Sequence, residues 1–271
     1  MNAKKIFLFK TLAISSTLVI SAVAAQVSEP PEKIELTDDY AGKFEQVQPT
    51  KCDEHYLKRI AYFKKSNSTV KPGGLVLLGD SISEVFPING APKEWNLISR
   101  GISGDGIGGG KHRGLSNRLR VSCHDLKPSA VFIKIGINDI VDWGMGIKQT
   151  DEAERLKNYR RVIQDIKKFN PKANVFISSV LPARTINNPR GKKRDFGQYN
   201  ATIVPFNAQL KIIAKEEKIT FVDLHQSFVE KGGDKIRADL TSDGVHLSRA
   251  GYALWIKELK KLKLFSNAEQ K

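Results

Sequence analysis

Five short apolar runs punctuate the chain, at 74–81 (GLVLLGDS), 96–101 (NLISRG), 130–139 (AVFIKIGIND), 174–182 (NVFISSVLP) and 219–224 (ITFVDL). Each has strand length, is bounded by Gly, Pro, Asn or Asp, and lacks strict polar–apolar alternation. A parallel sheet covered on both faces requires such runs, because neither side of the strand meets water. The segments between them carry the helical period. Leu57, Ile60 and Ala61 share one face of the first, and Leu156, Tyr159, Ile163 and Ile166 one face of the second. Asp151 and Glu152 stand in the first turn of that second helix, where the helix dipole favours anions. Phe206, Leu210, Ile213 and Ala214 line a third helix, and Tyr252, Trp255, Ile256 and Leu259 a fourth that Ser248 is placed to cap. Strands alternating with helices predict a doubly wound α/β fold, whose ligand sites lie at the carboxyl ends of the strands.

The first 25 residues break this pattern. Lys4, Lys5 and Lys10 precede and enter a Leu/Ile/Val-rich stretch that closes on Ala22, Ala24 and Ala25. That is the form of a secretory signal peptide, cleaved after Ala24 or after Ala25, and it predicts an exported protein, periplasmic or secreted. An uncleaved single-span anchor is the alternative, but the apolar stretch is interrupted and only just long enough. Residues 26–50 are polar, hold Pro30-Pro31 and show no helical stripe, so they read as a linker or N-terminal arm. The folded domain is expected over 51–266, with a frayed tail at 267–271.

Composition narrows the class. With 271 residues, 40% hydrophobic and 27% charged, the chain suits one α/β domain and excludes a polytopic membrane protein or a fully disordered one. The formal charge is +15, falling to +12 without Lys4, Lys5 and Lys10. An anionic partner is therefore expected, and an exported cationic protein can make peripheral contact with an anionic envelope surface. The basic residues are dispersed, so nucleic acid is not the expected partner. Cys52 and Cys123 are 71 residues apart, and export permits them to pair, closing a loop worth roughly 4 kcal/mol. Two buried thiols that never meet fit the sequence as well. His55, His112 and His124 have no metal-ligand spacing, and neither a metal nor a cofactor is expected.

Chemistry gathers at the ends of the predicted strands. Gly79-Asp80-Ser81 follows the first, Ser103-Gly104-Asp105 the second, and Gly136-Ile137-Asn138-Asp139 the third, while Asp243-Gly244-Val245-His246 precedes the last helix. Acyl transfer needs a nucleophile, a base, a group that orients the base, and donors for the developing oxyanion. Ser81, on a tight strand-to-helix turn, is the candidate nucleophile, His246 the base and Asp243 its partner. The backbone N–H groups of Ser81 and Gly104, with the Asn138 amide, are the candidate oxyanion donors.

These four pieces, in this order, resemble the SGNH (GDSL-type) hydrolases. GDSIS, the glycine of RGISGD, GIND and DGVH match the family's four blocks over roughly residues 70 to 263. The runs RGISGDGIGG, KPSAVFIKIGIND and DGVHLSRAGY are most similar to the branch of platelet-activating-factor acetylhydrolase-like proteins and bacterial carbohydrate O-acetylesterases. Ile82 stands where Leu is commonest, apolar for apolar. The resemblance implies a flavodoxin-like three-layer α/β/α fold with a five-stranded parallel sheet. It implies a serine esterase with triad Ser81, Asp243 and His246, and an oxyanion hole of Ser81, Gly104 and Asn138. The expected substrate is a short acyl ester, as a small molecule or on an envelope carbohydrate or phospholipid. A lysophospholipase or thioesterase, or a catalytically silent envelope-polymer binder, is the alternative.

Three other patterns compete. Gly104–Gly109 matches G-x-G-x-x-G, with Asp125 about twenty residues on, but this dinucleotide pattern follows the second strand and leaves Ser81, Asn138 and His246 unused. Asp223 and His225 form a second acid–histidine pair, with a one-residue gap that points the two side chains apart. The segment 183–200 (ARTINNPRGKKRDFGQYN) reads as a long basic loop, either shaping specificity or simply solvated.

Overall fold

Strand β1 (Leu75–Gly79) is buried along its whole length, and so is β3 (Ala130–Lys134) beside it. Alternate side chains go to opposite faces. Val76, Leu78, Val131 and Ile133 enter one core, while Leu75, Leu77 and Phe132 enter the other. This is why the sequence shows runs rather than alternation. The structure, a computed structural model, describes residues 51–108, 113–141, 151–187 and 193–265. The leader expected at 1–25, the arm at 26–50 and the tail at 267–271 lie outside the described residues.

Strands β2 (Ile98–Gly101), β4 (Asn174–Ser178) and β7 (Thr220–Val222) complete a parallel sheet of order β2-β1-β3-β4-β7. All five predicted strands are present. On the first face lie α5 (Glu152–Phe169) and α6 (Asn200–Glu216), which bury Tyr159, Ile163 and Ile166, and Phe206, Leu210 and Ile213. On the second, α8 (Arg249–Leu259) buries Trp255 and Leu259, and α7 (Leu224–Phe228) buries Phe228. Each such side chain contributes about 1.5–3 kcal/mol of burial. The three layers of the flavodoxin-like expectation follow. The caps also form: Asp151 accepts the Glu154 N–H at 2.7 Å, and Ser248 the Gly251 N–H at 3.2 Å.

Helix α1 (Lys51–Asn67) departs from its predicted face. It buries Tyr56, Ile60 and Phe63 against Ile102 and Val121, while Leu57 and Ala61 are only half-buried. The segment 183–200 is a second departure. Within it, β5 (Thr185–Asn187) pairs antiparallel with β6 (Lys193–Asp195), and Phe196 is buried in the core. The chain here is therefore an anchored hairpin over its described part, with Arg184 N–H bonded to Gly244 O at 2.8 Å. Cys123 is a buried free thiol, so the pairing weighed with Cys52 is not made. Three one-turn helices, α2 (Ser81–Glu84), α3 (Leu119–Ser122) and α4 (Ile137–Ile140), complete the domain; α2 and α4 follow the carboxyl ends of β1 and β3.

Candidate active site

At the end of β1 the chain turns directly into α2. A side chain on Gly79 would collide with Ser83 and with the Lys134 carbonyl, so glycine lets the turn close against β3. Asp80 is fully buried and caps α2, its Oδ1 accepting the Ile82 N–H at 2.9 Å. The equally buried Lys134 ammonium stands 3.9 Å from the same oxygen. Burial lowers the Lys134 pKa, and the Asp80 charge works against that shift. Ser81 is thereby the first residue of α2, at the carboxyl edge of the sheet.

His246 reaches Ser81 from a turn 165 residues away in sequence. Its Nε2 lies 2.9 Å from Ser81 Oγ, and its Nδ1 lies 2.7 Å from Asp243 Oδ2. The other Asp243 oxygen accepts the backbone N–H groups of His246 (2.7 Å) and Val245 (3.1 Å), which fixes the carboxylate relative to the ring. Burial opposes the Asp243 charge, yet the His246 ring and these two N–H groups hold its pKa down to about 2. The same Asp243 bond raises the His246 pKa, with burial opposing. The imidazolium that forms when His246 takes a proton is therefore stabilised.

Gly104 and Asn138 meet through one carbonyl. The Asp105 N–H closes a tight turn on Ile102 O at 3.1 Å, with Gly104 at φ +75°, a left-handed conformation that favours glycine. Asn138, on α4, donates one amide hydrogen to Asp105 O at 2.8 Å; the amide has a second to offer. The Asp105 side chain is locked separately, its carboxylate 2.8 Å from Arg118 Nε with both side chains wholly buried. Arg118 also donates to the carbonyls of Arg100 (2.7 Å) and Gly79 (2.9 Å), tying the ends of β2 and β1 together. Burial lifts the Asp105 pKa to about 6 even though Arg118 favours its charge.

All five sequence-predicted residues thus stand at the sheet's carboxyl edge or on the turn leading into α8. Ser81, His246 and Asp243 form one hydrogen-bonded chain, and Gly104 and Asn138 share the Asp105 turn. The rivals go elsewhere. Asp105 is spent on Arg118, Asp125 is exposed beside a different arginine, and the last glycine of the G-x-G-x-x-G pattern lies outside the described residues. Asp223 is exposed and caps α7 through the Gln226 N–H at 3.2 Å, while His225 offers its backbone N–H to Ser179 Oγ at 2.7 Å. Residues that sequence reasoning missed are Arg118, Lys134, Glu84 and Ser103. The first two are buried charges, which no hydropathy pattern marks, and the last two are joined only across the fold.

The chemistry open to this arrangement is proton transfer from Ser81 Oγ to His246 Nε2. Residues 73–254 match the model of the GDSL-like Lipase/Acylhydrolase family. An isoamyl acetate-hydrolyzing esterase of Saccharomyces cerevisiae is 26% identical over 132 residues, 48% of this chain and 54% of the yeast protein. The match thus spans about half the length of that relative. Among solved structures, one from Streptococcus pneumonia, provisionally named a platelet activating factor, superposes with a TM-score of 0.65 at 24% identity, covering 77% of this chain and 92% of that one. A catalytic mutant of an acetylxylan esterase from Geobacillus stearothermophilus superposes at 0.55 with 21% identity, over 73% and 97%. At these identities the two structures speak for the fold.

Proposed function

Because the chain belongs to the GDSL-like lipase/acylhydrolase family, we propose that it is a serine esterase that hydrolyses short acyl esters, acetate foremost, through Ser81, His246 and Asp243. One observation carries the reading: the unbroken chain from Ser81 Oγ through the His246 ring to Asp243, at 2.9 and 2.7 Å. A serine brought from 165 residues away onto an imidazole already paired with a carboxylate is the arrangement that acyl transfer requires.

In the proposed cycle, Ser81 Oγ attacks the ester carbonyl while His246 Nε2 takes its proton. Asp243 holds the other ring nitrogen and stabilises the imidazolium. The tetrahedral oxyanion is received by the N–H groups of Ser81 and Gly104 and by the Asn138 amide. Collapse breaks the bond to the alkoxide, which leaves with the proton from His246. Water, deprotonated by the same imidazole, then attacks the acyl-serine; the carboxylic acid departs and Ser81 recovers its proton.

Acetate is favoured by the yeast relative, whose name specifies an acetate ester. The leader-like segment at 1–25, and the net charge of +12 that remains without its three lysines, favour an anionic carbohydrate or phospholipid of the cell envelope as carrier of the acyl group. Ser81→Ala is the deciding variant. It should remain folded, lose nearly all turnover and escape labelling by a fluorophosphonate that marks the wild type. Retained activity in Ser81→Ala would overturn the reading, and a preference for long acyl chains would replace it with a lysophospholipase or thioesterase.

A further inference from the structure

Glu84, three residues after the nucleophile, is used by neither the triad nor the oxyanion donors. It is only slightly exposed, at 13% of its side chain, and bonds in three directions. One oxygen, Oε2, accepts both the backbone N–H of Ser103 at 2.5 Å and its hydroxyl at 2.6 Å. Arg59 Nε stands 3.1 Å from the other, Oε1, and His55 Nε2 lies 3.1 Å from both. Arg59 also donates to Gly101 O at 3.2 Å, at the point where β2 hands over to the Ser103–Gly104 turn. Two of these groups, His55 and Arg59, come from α1, which precedes the stretch matched by the family at 73–254.

The geometry is directional. Ser103 is the residue immediately before Gly104: its N–H, in the Ile102–Ser103 peptide plane, and its hydroxyl together place the Ser103 Cα from which the peptide carrying the Gly104 N–H departs. That N–H must point at the oxyanion rather than at the ground-state carbonyl to lower the barrier. The far side of the same turn is pinned by Arg118 and Asn138 at Asp105. Without Glu84, Ser103 itself would lose both its N–H and its hydroxyl bond, and the near side would be held only upstream of it, by Arg59 on Gly101 O and the Ile102 N–H on Gly79 O. The Glu84 carboxylate stays charged in this largely buried place: burial works against it, but the bonds from Ser103 and His55 and the Arg59 charge bring its pKa below the ordinary value.

We propose that Glu84 is a positioning residue for catalysis, holding Ser103 so that the Gly104 N–H is preset for the oxyanion, with α1 supplying the Arg59 charge and the His55 hydrogen bond that keep Glu84 in place. The proposal rests on the serine-esterase reading above. It makes α1 part of the catalytic unit rather than an appendage to the domain.

The test compares Glu84→Ala, Glu84→Gln and Ser103→Ala on p-nitrophenyl acetate and measures inhibition by a trifluoromethyl ketone, which becomes an oxyanion on Ser81. Misplacing one donor by a fraction of an ångström should cost Glu84→Ala about 10-fold to 100-fold in kcat, with KM within about threefold of wild type. Affinity for the ketone should fall by the same factor as kcat. Glu84→Gln keeps an acceptor for Ser103 and should recover most of the loss, and Ser103→Ala, which drops only the hydroxyl bond, should fall between. A Glu84→Ala enzyme with full kcat, or with its loss confined to KM, overturns the proposal, as does a Gln variant no better than Ala. If Glu84→Ala does not fold, Ser103→Ala decides alone, and wild-type kcat in that variant overturns the proposal. Ser81→Ala separates the two levels: activity without Ser81 removes the underlying reading, whereas an inactive Ser81→Ala beside a fully active Glu84→Ala removes Glu84 alone.

Discussion

Two acid–histidine pairs lie in the C-terminal quarter of the chain, and the fold treats them in opposite ways. Asp243 and His246, three residues apart, close a turn in which one carboxylate binds both the ring and the backbone of the histidine. Asp223 and His225, two apart, straddle the start of α7; the aspartate turns to the helix N–H groups and the imidazole is left half-buried. Their chemistry diverges accordingly. The Asp243 bond raises the His246 pKa, while burial lowers that of His225 in spite of nearby Asp223. A two-residue gap across a turn lets the acid face the ring. A one-residue gap at a helix start makes the acid a cap, because the unpaired N–H groups of the first turn outcompete the imidazole.

The difference can be broken by substitution. His246→Ala should lower kcat by about 10⁴-fold to 10⁶-fold, as loss of a triad base does, whereas His225→Leu should stay within about threefold of wild type. Steady-state kinetics on one acetyl ester read both, and comparable losses would dissolve the contrast. Next, Asp243→Asn should cost on the order of 10⁴-fold in kcat by leaving the ring in the wrong tautomer. Asp223→Ala should leave kcat unchanged and lower stability by about 1 kcal/mol through the lost cap, measurable by urea unfolding.

A smaller effect is expected at Asn138. Asn138→Ala removes one of the proposed oxyanion donors and should lower kcat by about 10²-fold to 10³-fold with little change in KM. The smallest is a shift along the pH axis. Since the Asp243 bond raises the His246 pKa, kcat/KM should rise with pH through an apparent pKa above the reference of about 6.5, as the neutral base is populated. His225→Leu should leave that midpoint in place, and a profile flat from acid to neutral pH in the active wild type would contradict the role of His246.

The strands were legible because a buried parallel strand needs apolar side chains on both faces, and 74–81 and 130–139 announce that in one dimension. The helix faces of α5, α6 and α8 were legible for the same reason at a different period. Helix α1 follows its predicted face only at Ile60, because its buried residues Tyr56, Ile60 and Phe63 are interleaved with the apolar but half-buried Leu57 and Ala61, so two stripes compete and only the groove beneath chooses. The hairpin of β5 and β6 was invisible because Thr185–Asn187 and Lys193–Asp195 are exposed or only half-buried, and no alternation marks them.

The four motif blocks nominate Ser81, Gly104, Asn138, Asp243 and His246 as candidates from sequence alone, through local features: a tight turn, a glycine that takes a left-handed conformation, a carboxylate spaced to reach a ring. Tertiary structure decided which acid serves which histidine, and it decided the fate of the buried charges. Arg118 with Asp105, Lys134 with Asp80, and Glu84 with Arg59 and Ser103 are pairings across 13 to 54 residues. A charged side chain looks the same in a sequence whether water or a carboxylate will receive it. Burial makes the partner obligatory, and burial is a property of the packed chain.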